Sequence, residues 1–243
     1  MLRRTFVHLP GVGERTERRW WARGLSDWAK ALESDCSADQ RDVLEQSIRA
    51  YEAGNWAWFE RAIPAAYKWR VWGELADRAL FVDLETDGGM GPESITVIGA
   101  YDGRRYRAFV AGENLQEAAD YLESFPLLVT FNGSLFDLPL LRARFTHRLR
   151  NHLHLDLRYP LQRLGLRGGL KRVEKALGLA RSPETDGLDG WDAVRLWREW
   201  VLEGSHASLA RLLAYNEEDV RNLRVLADWM FARHQERLAL DPP

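Results

Sequence analysis

Cysteine occurs once, at Cys36, in a chain of 243 residues. That excludes an internal disulfide and any zinc site assembled from several thiolates. Such scarcity suits a reducing compartment, and a cytoplasmic location is the expectation. Long apolar runs are missing as well. Nothing approaches the roughly 18 consecutive apolar residues of a spanning helix, so no membrane partner is expected. The opening stretch MLRRTFVHLPGVGER is charged and lacks the apolar core of a secretory signal. Charge of either sign is barely in excess, at a net −2, so bulk charge points to no partner. Internal repeats and low-complexity segments are also absent.

What is present is a composition for burial: 46% hydrophobic residues and 11 Trp, enough for one large or two modest domains. The charges are unevenly spread. Residues 1–24 hold six Arg against Glu14 and Glu17, and residues 142–175 hold ten Arg or Lys against Asp156 and Glu174. Two basic stretches thus flank a more acidic remainder, either as solvated helix faces or as anion-binding surfaces.

The first 77 residues read as helical. Ser37-Ala38-Asp39-Gln40 is a capping-box pattern opening a helix to about Ala53, where Gly54 stops it. Asn55 is placed to cap a short helix before Pro64, and the aromatic segment 65–78 is expected to pack this part onto the remainder of the chain. At Ala79 the period changes. ALFV is a short apolar run suited to a strand buried on both faces. SITVIGAY and RYRAFV are strands joined by a hairpin turn at Asp102-Gly103. A helix over about 113–124, the strand PLLVTF, a helix over 134–145, the strand HLHLD and then helices complete the order, the last running from about Ser208 to Arg233. This predicts an α/β domain with a mixed sheet and the first strand central.

That first strand ends in two carboxylates, Asp83 and Glu85. Residues i and i+2 of a strand share a face, so both lie together at its carboxyl end, where open α/β sheets place their ligand sites. Like charges there repel unless cations compensate them, and the oxygen donors suit Mg²⁺ or Mn²⁺. A plain solvated turn continuing through Thr86, Asp87 and Gly88 is the other reading. In LLVTFNGSLFDLPLL a second strand leads through Asn132 and Phe136 to Asp137, in the first turn of a helix, a position the helix dipole alone also explains. In LLAYNEEDVRNL, Tyr215 and Asp219 are four apart on one helical face, with Glu217 and Glu218 directed to solvent.

Taken together, Asp-x-Glu at a strand end, Asn-x-x-x-Phe-Asp at a strand–helix junction and Tyr-x-x-x-Asp on the last helix resemble the three motifs of ribonuclease-H-like 3′→5′ exonucleases. The subgroup is the one with four acids and a tyrosine (DEDDy). Over nearly the whole chain the sequence is most similar to bacterial YprB-like ribonuclease-H-like proteins, through HLPGVG, FVDLET, VTFNGSLFDLPLL, HLDL and YNEEDV. The resemblance implies a ribonuclease-H-like mixed five-stranded sheet over 78–236, preceded by a small helical domain over 1–77. It implies two divalent cations, Mg²⁺ or Mn²⁺, about 3.5–4 Å apart, held by Asp83, Glu85, Asp137 and Asp219. Tyr215 then orients the attacking water, and Thr86, Asn132 and Phe136 touch the terminal nucleotides, with packing the alternative for Phe136. The implied partner is nucleic acid, a single-stranded 3′ end. Lys171 and Arg172 are candidate phosphate contacts within the second basic stretch. Gly11, Gly13 and Arg15 fit the phosphate-gripping turn of a helix-hairpin-helix, or else dock Trp20 and Trp21. Asp156 is expected to support the site, not to ligate metal. His147, His152 and His154 lack the spacing and company of a zinc site.

Two other functions remain open on sequence: an endonuclease for hybrids or branched structures, and a non-catalytic module keeping the fold. The strand-borne Asp83-x-Glu85 spacing speaks against the first, and the complete set of four acids plus tyrosine against the second.

Overall fold

The computed structural model describes residues 1–240. The apolar segments form one sheet from β1 (Ala79–Thr86), β2 (Ile95–Tyr101), β3 (Tyr106–Val110), β4 (Leu127–Thr130) and β5 (Leu153–Asp156), in the order β3-β2-β1-β4-β5. The first strand is central, as the pattern predicts. The β1–β2 and β2–β3 pairs are antiparallel, whereas β1–β4 and β4–β5 are parallel. The β2–β3 pair follows from the Asp102-Gly103 turn. There Asp102 accepts from the amides of Arg104 and Arg105, at 2.8 and 2.7 Å, and Gly103 takes φ +86°.

Ahead of the sheet lie α1 (Glu14–Ala22), α2 (Trp28–Leu32), α3 (Ala38–Glu52), α4 (Trp56–Ala62), a 3₁₀ segment over Ala65–Val71, and α5 (Trp72–Leu75). Within and after it come α6 (Ala118–Glu123), α7 (Asp137–Arg144), α8 (Arg158–Arg163), α9 (Leu170–Ala176), α10 (Gly190–Glu203) and α11 (His206–Leu240). The predicted capping box forms, with Ser37 and Gln40 each closing on the other's backbone amide. Asn55 caps α4 by accepting from the Trp58 amide at 3.2 Å. Two boundaries differ from expectation. α11 extends beyond both predicted ends, and α7 begins at Asp137 instead of 134 because residues 132–134 are held by Asp156 in a loop.

Alternation along β1 sorts the core. Leu80, Val82 and Leu84 face α6 and α7 through Leu122 and Leu141. Phe81 faces the other way, in one buried cluster with Val220 and Leu223 of α11 and with Trp28, Phe59 and Trp72 ahead of the sheet. The aromatic segment docks as expected: Trp72 meets Phe81 edge-on at 5.8 Å and Trp69 stacks on His234 at 4.6 Å. A buried pair, Glu17–Arg70 at 2.7 Å, ties α1 to the same segment.

The register then positions the site. β1 pairs with β2 through Thr86 but with β4 only over Ala79–Phe81. Beyond Phe81 one edge of β1 is therefore open, and the start of α7 fills it.

Candidate active site

Asp83 and Glu85 point to the face of β1 that α11 crosses, and α11 supplies Tyr215, Asn216 and Asp219 to it. One oxygen each of Asp83, Glu85 and Asp219 lies within 4.8 Å of the other two. Glu85 and Asp219 are buried and Asp83 half-buried, so little water screens the repulsion. Burial, then Asp219, pushes the Glu85 carboxyl up to about 8. Burial, then Asp219 and Glu85, holds Asp83 well above the usual carboxylate range. Burial raises Asp219 to about 6 against the pull of Arg181. Asp137, the first residue of α7, is 4% exposed and accepts from the Leu84 amide at 3.1 Å, on the open edge of β1. It stands beside the three, not among them, and burial raises it to about 7.

Arg181, Asn216 and, at longer range, Lys171 offset the charge. The Arg181 guanidinium is ion-paired with Asp219 and forks onto Glu174 through two bonds of 2.8 Å. Asn216, fully buried, donates its amide to Asp83 at 3.0 Å and to Glu85 at 3.3 Å, while its carbonyl accepts from Tyr106 at 3.0 Å. Gly99, opposite Asp83 on β2, permits this: a Cβ there would fall inside the Asn216 carboxamide. Tyr215 is buried, with the Lys171 ammonium 4.7 Å from its ring centroid and the Arg181 guanidinium at 5.5 Å. That ammonium is buried without a hydrogen-bond partner.

The family described as the RNase_H superfamily matches residues 80–231, the stretch that carries every one of these side chains. The chain belongs to the RNase_H superfamily. Among solved structures it is similar to the family B DNA polymerase from the hyperthermophilic archaeon Pyrobaculum calidifontis. That likeness is 19% identical, with TM-score 0.50, over 63% of this chain and 24% of the polymerase. It is also similar to Brucella melitensis NrnC, 20% identical, with TM-score 0.43, over 70% of this chain and 82% of that one. At such identities the polymerase likeness concerns the fold, and this chain spans about a quarter of its length. No curated protein matches.

As an RNase_H-superfamily member the chain has a nuclease-type fold, and its acidic cluster fits divalent metal. The donors are all carboxylate oxygen, they converge from two elements, and their carboxyls stay raised despite Arg181, Lys171 and the Asn216 carboxamide. No other group of three or more potential ligands lies together among the described residues. His152 bonds the Phe125 carbonyl and His154 the Thr130 hydroxyl, both at 2.9 Å, which gives each a structural partner.

The remaining predicted residues are spread around this centre. Thr86 ends β1 at a register shift after Glu85, its hydroxyl accepting from the Gly88 amide at 3.4 Å. Asn132 adopts φ +67° at the end of β4, with its side chain accepting from Arg158. Asp156 accepts the amides of Asn132 at 2.7 Å and Ser134 at 3.0 Å, so it shapes the loop leading to Asp137. Phe136 is 38% exposed at the start of α7. Arg172 is exposed on α9. Gly11, Gly13 and Arg15 are exposed around the start of α1, with open space where side chains on the two glycines would go. The first helix of the supposed hairpin is only a 3₁₀ turn, Leu2–Arg4. Glu218 departs from expectation: it is half-buried and accepts from the Ser182 amide at 2.8 Å and from the Thr185 hydroxyl. Sequence reading missed Asn216, Arg181 and Glu174. Asn216 had a signal, being three residues before Asp219 on the same helical face. Arg181 had none, because it reaches the site from the loop before α10.

Proposed function

We propose that this protein is a metal-dependent 3′→5′ exonuclease of DNA or RNA, of the four-acid-plus-tyrosine type. One observation carries the reading: carboxylates from β1 and α11 converge to within 4.8 Å, with Tyr215 one helical turn before Asp219. In this reading Asp83, Glu85 and Asp219 hold Mg²⁺ or Mn²⁺ directly, and Asp137 serves a second ion from the open edge of β1. The metals, when bound, supply an activated water and charge compensation at the scissile phosphate. The chain's own groups position everything else. Tyr215, fixed by packing, orients the attacking water, and Asn216 holds Asp83 and Glu85 at their separation. Thr86, Asn132 and Phe136 surround the 3′-terminal nucleotides, and Lys171 meets a phosphate beside Tyr215. Residues 78–236 are the nuclease unit. In the helical part, residues 1–77, the turn with Gly11, Gly13 and Arg15 is a further backbone contact. The likeness of the motifs to YprB-like proteins supports the same assignment.

Digestion of 5′-labelled single-stranded DNA and RNA with Mg²⁺ or Mn²⁺ tests it. The expected result is a ladder shortening from the 3′ end, abolished by EDTA and by Asp83→Asn. Cleavage of circular substrate assigns an endonuclease instead, and binding without cleavage under either metal assigns a binding module.

A further inference from the structure

Three cavities meet end to end along the seam between the Ala65–Val71 segment and α8. The first, about 210 Å³, lies beside Ser134, Leu138 and Asp156, at the loop running into Asp137. Through Tyr159 and Ala65 it joins a second of about 750 Å³. Through Arg163 that one joins a third of about 190 Å³ between the start of α1 and the last turns of α11. The three lie in a row from the loop before Asp137 across the helical part of the chain, with Arg163 between the last two.

Their lining is basic. The cavity beside Ser134 has Lys68 and Arg142 against Glu60 and Asp156. The middle one adds Arg167, and the far one holds Arg18, Arg70, Arg163 and Arg237 against Glu14. Seven basic side chains thus face three acids in a chain of net charge −2, a local reversal of sign. Arg70 is committed to Glu17, Lys68 to Glu60 and Arg163 to Glu14 at 3.7 Å, whereas Arg142, Arg167 and Arg237 are exposed. Aromatic rings alternate with them: Tyr159 is 41% exposed in the middle, and Tyr67 lies under Arg163, its ring centroid 5.9 Å from the guanidinium. Tyr67 is half-buried beneath Arg70 and Arg163, which leaves Tyr159 as the exposed ring among spaced cations. Such a ring suits a strand whose bases are free to stack, whereas a duplex hides its base faces. The floor is braced, since Arg163 donates to the Ala66 carbonyl at 3.0 Å and Arg237 to the Arg163 carbonyl at 2.6 Å.

We propose that this seam is the track of a single nucleic-acid strand, carrying the part that lies 5′ of the nucleotides at the acidic centre. The proposal rests on the nuclease reading and adds the footprint of the substrate on this chain. It also divides the second basic stretch, with Arg163 and Arg167 on the track and Lys171 at Tyr215.

The test uses the full chain in EDTA, with fluorescence anisotropy of 5′-labelled single strands of about 4 and about 16 nucleotides. The wild type is expected to bind the longer strand more tightly. The double variant Arg167→Gln/Arg237→Gln is expected to lose roughly tenfold on the longer strand. Its slope of log affinity against log salt is expected to fall by about 0.7 for each lost phosphate contact. Arg233→Gln, on α11 but outside the seam, controls for general charge, and matching thermal midpoints control for folding. Equal affinity of wild type and double variant overturns the track, as does tighter binding of duplex than of single strand. If the wild type shortens 3′ ends while either result holds, the nuclease reading survives and only the track fails. If it neither cleaves nor binds any strand, both fall.

Discussion

Arg181 is buried at 4% side-chain exposure between Glu174 and Asp219, themselves at 2% and 7%. It is the cation that Asp219 keeps when no metal is present. Removing one partner of a buried ion pair strands the other charge, at a cost of about 3–5 kcal/mol. Arg181→Met should therefore lower the urea midpoint in EDTA, with Mn²⁺ recovering part of the loss; an unchanged midpoint would show that the pair contributes nothing. A substitution at Tyr215 tests the proposed chemistry apart from metal binding. Tyr215→Phe keeps the ring that Lys171 and Arg181 contact and removes only the hydroxyl. A fall in turnover of about 10²-fold or more is expected, with Mn²⁺ affinity by titration calorimetry unchanged. Unaltered turnover would remove Tyr215 from its assigned role.

At the scale of elements, the site depends on how closely α11 approaches β2. Gly99 sets that distance, because Asn216 occupies the space a side chain would need. Gly99→Ala must push Asn216 or the helix outward, an overpacking cost of about 1–3 kcal/mol. It should also loosen the hold on Asp83 and Glu85. The expected outcome is a lower melting temperature together with weaker Mn²⁺ binding, and tight metal binding in a destabilised variant would separate the two effects. The element boundaries also show what was legible. The Asp83–Glu85 pair, the β2–β3 hairpin beside it and the capping box at Ser37 follow from local rules of period, turn and cap. The late start of α7 does not, since it depends on Asp156, 22 residues beyond Ser134. Gly99 likewise reads in sequence as one weak residue within a strand, and its use appears only against α11.

For the whole molecule, the carboxyl cluster couples stability to pH and metal. Burial holds the carboxyls of Glu85, Asp137 and Asp219 up at about 8, 7 and 6 in the folded chain, above the value of about 4 in an unfolded one. Between those limits the native state keeps protons that the unfolded state has released. Raising the pH through that window therefore withdraws stability from the metal-free protein. Divalent metal replaces those protons, so the gain in melting temperature from Mg²⁺ over EDTA should be larger at pH 8 than at pH 6. Equal gains at both would sink the coupling. Among the described residues no helix is long and apolar enough to cross a membrane. By itself the sequence determined the α/β class, the central strand and the pairing of Asp83 with Glu85 on one strand face, because period, turns and motif spacing are local and survive in one dimension. Only the tertiary structure decided that Arg181 and Asn216 hold the cluster together. It alone brought Lys68, Arg163 and Arg237 to one seam, because those residues lie on separate elements and charge acts through distance in space.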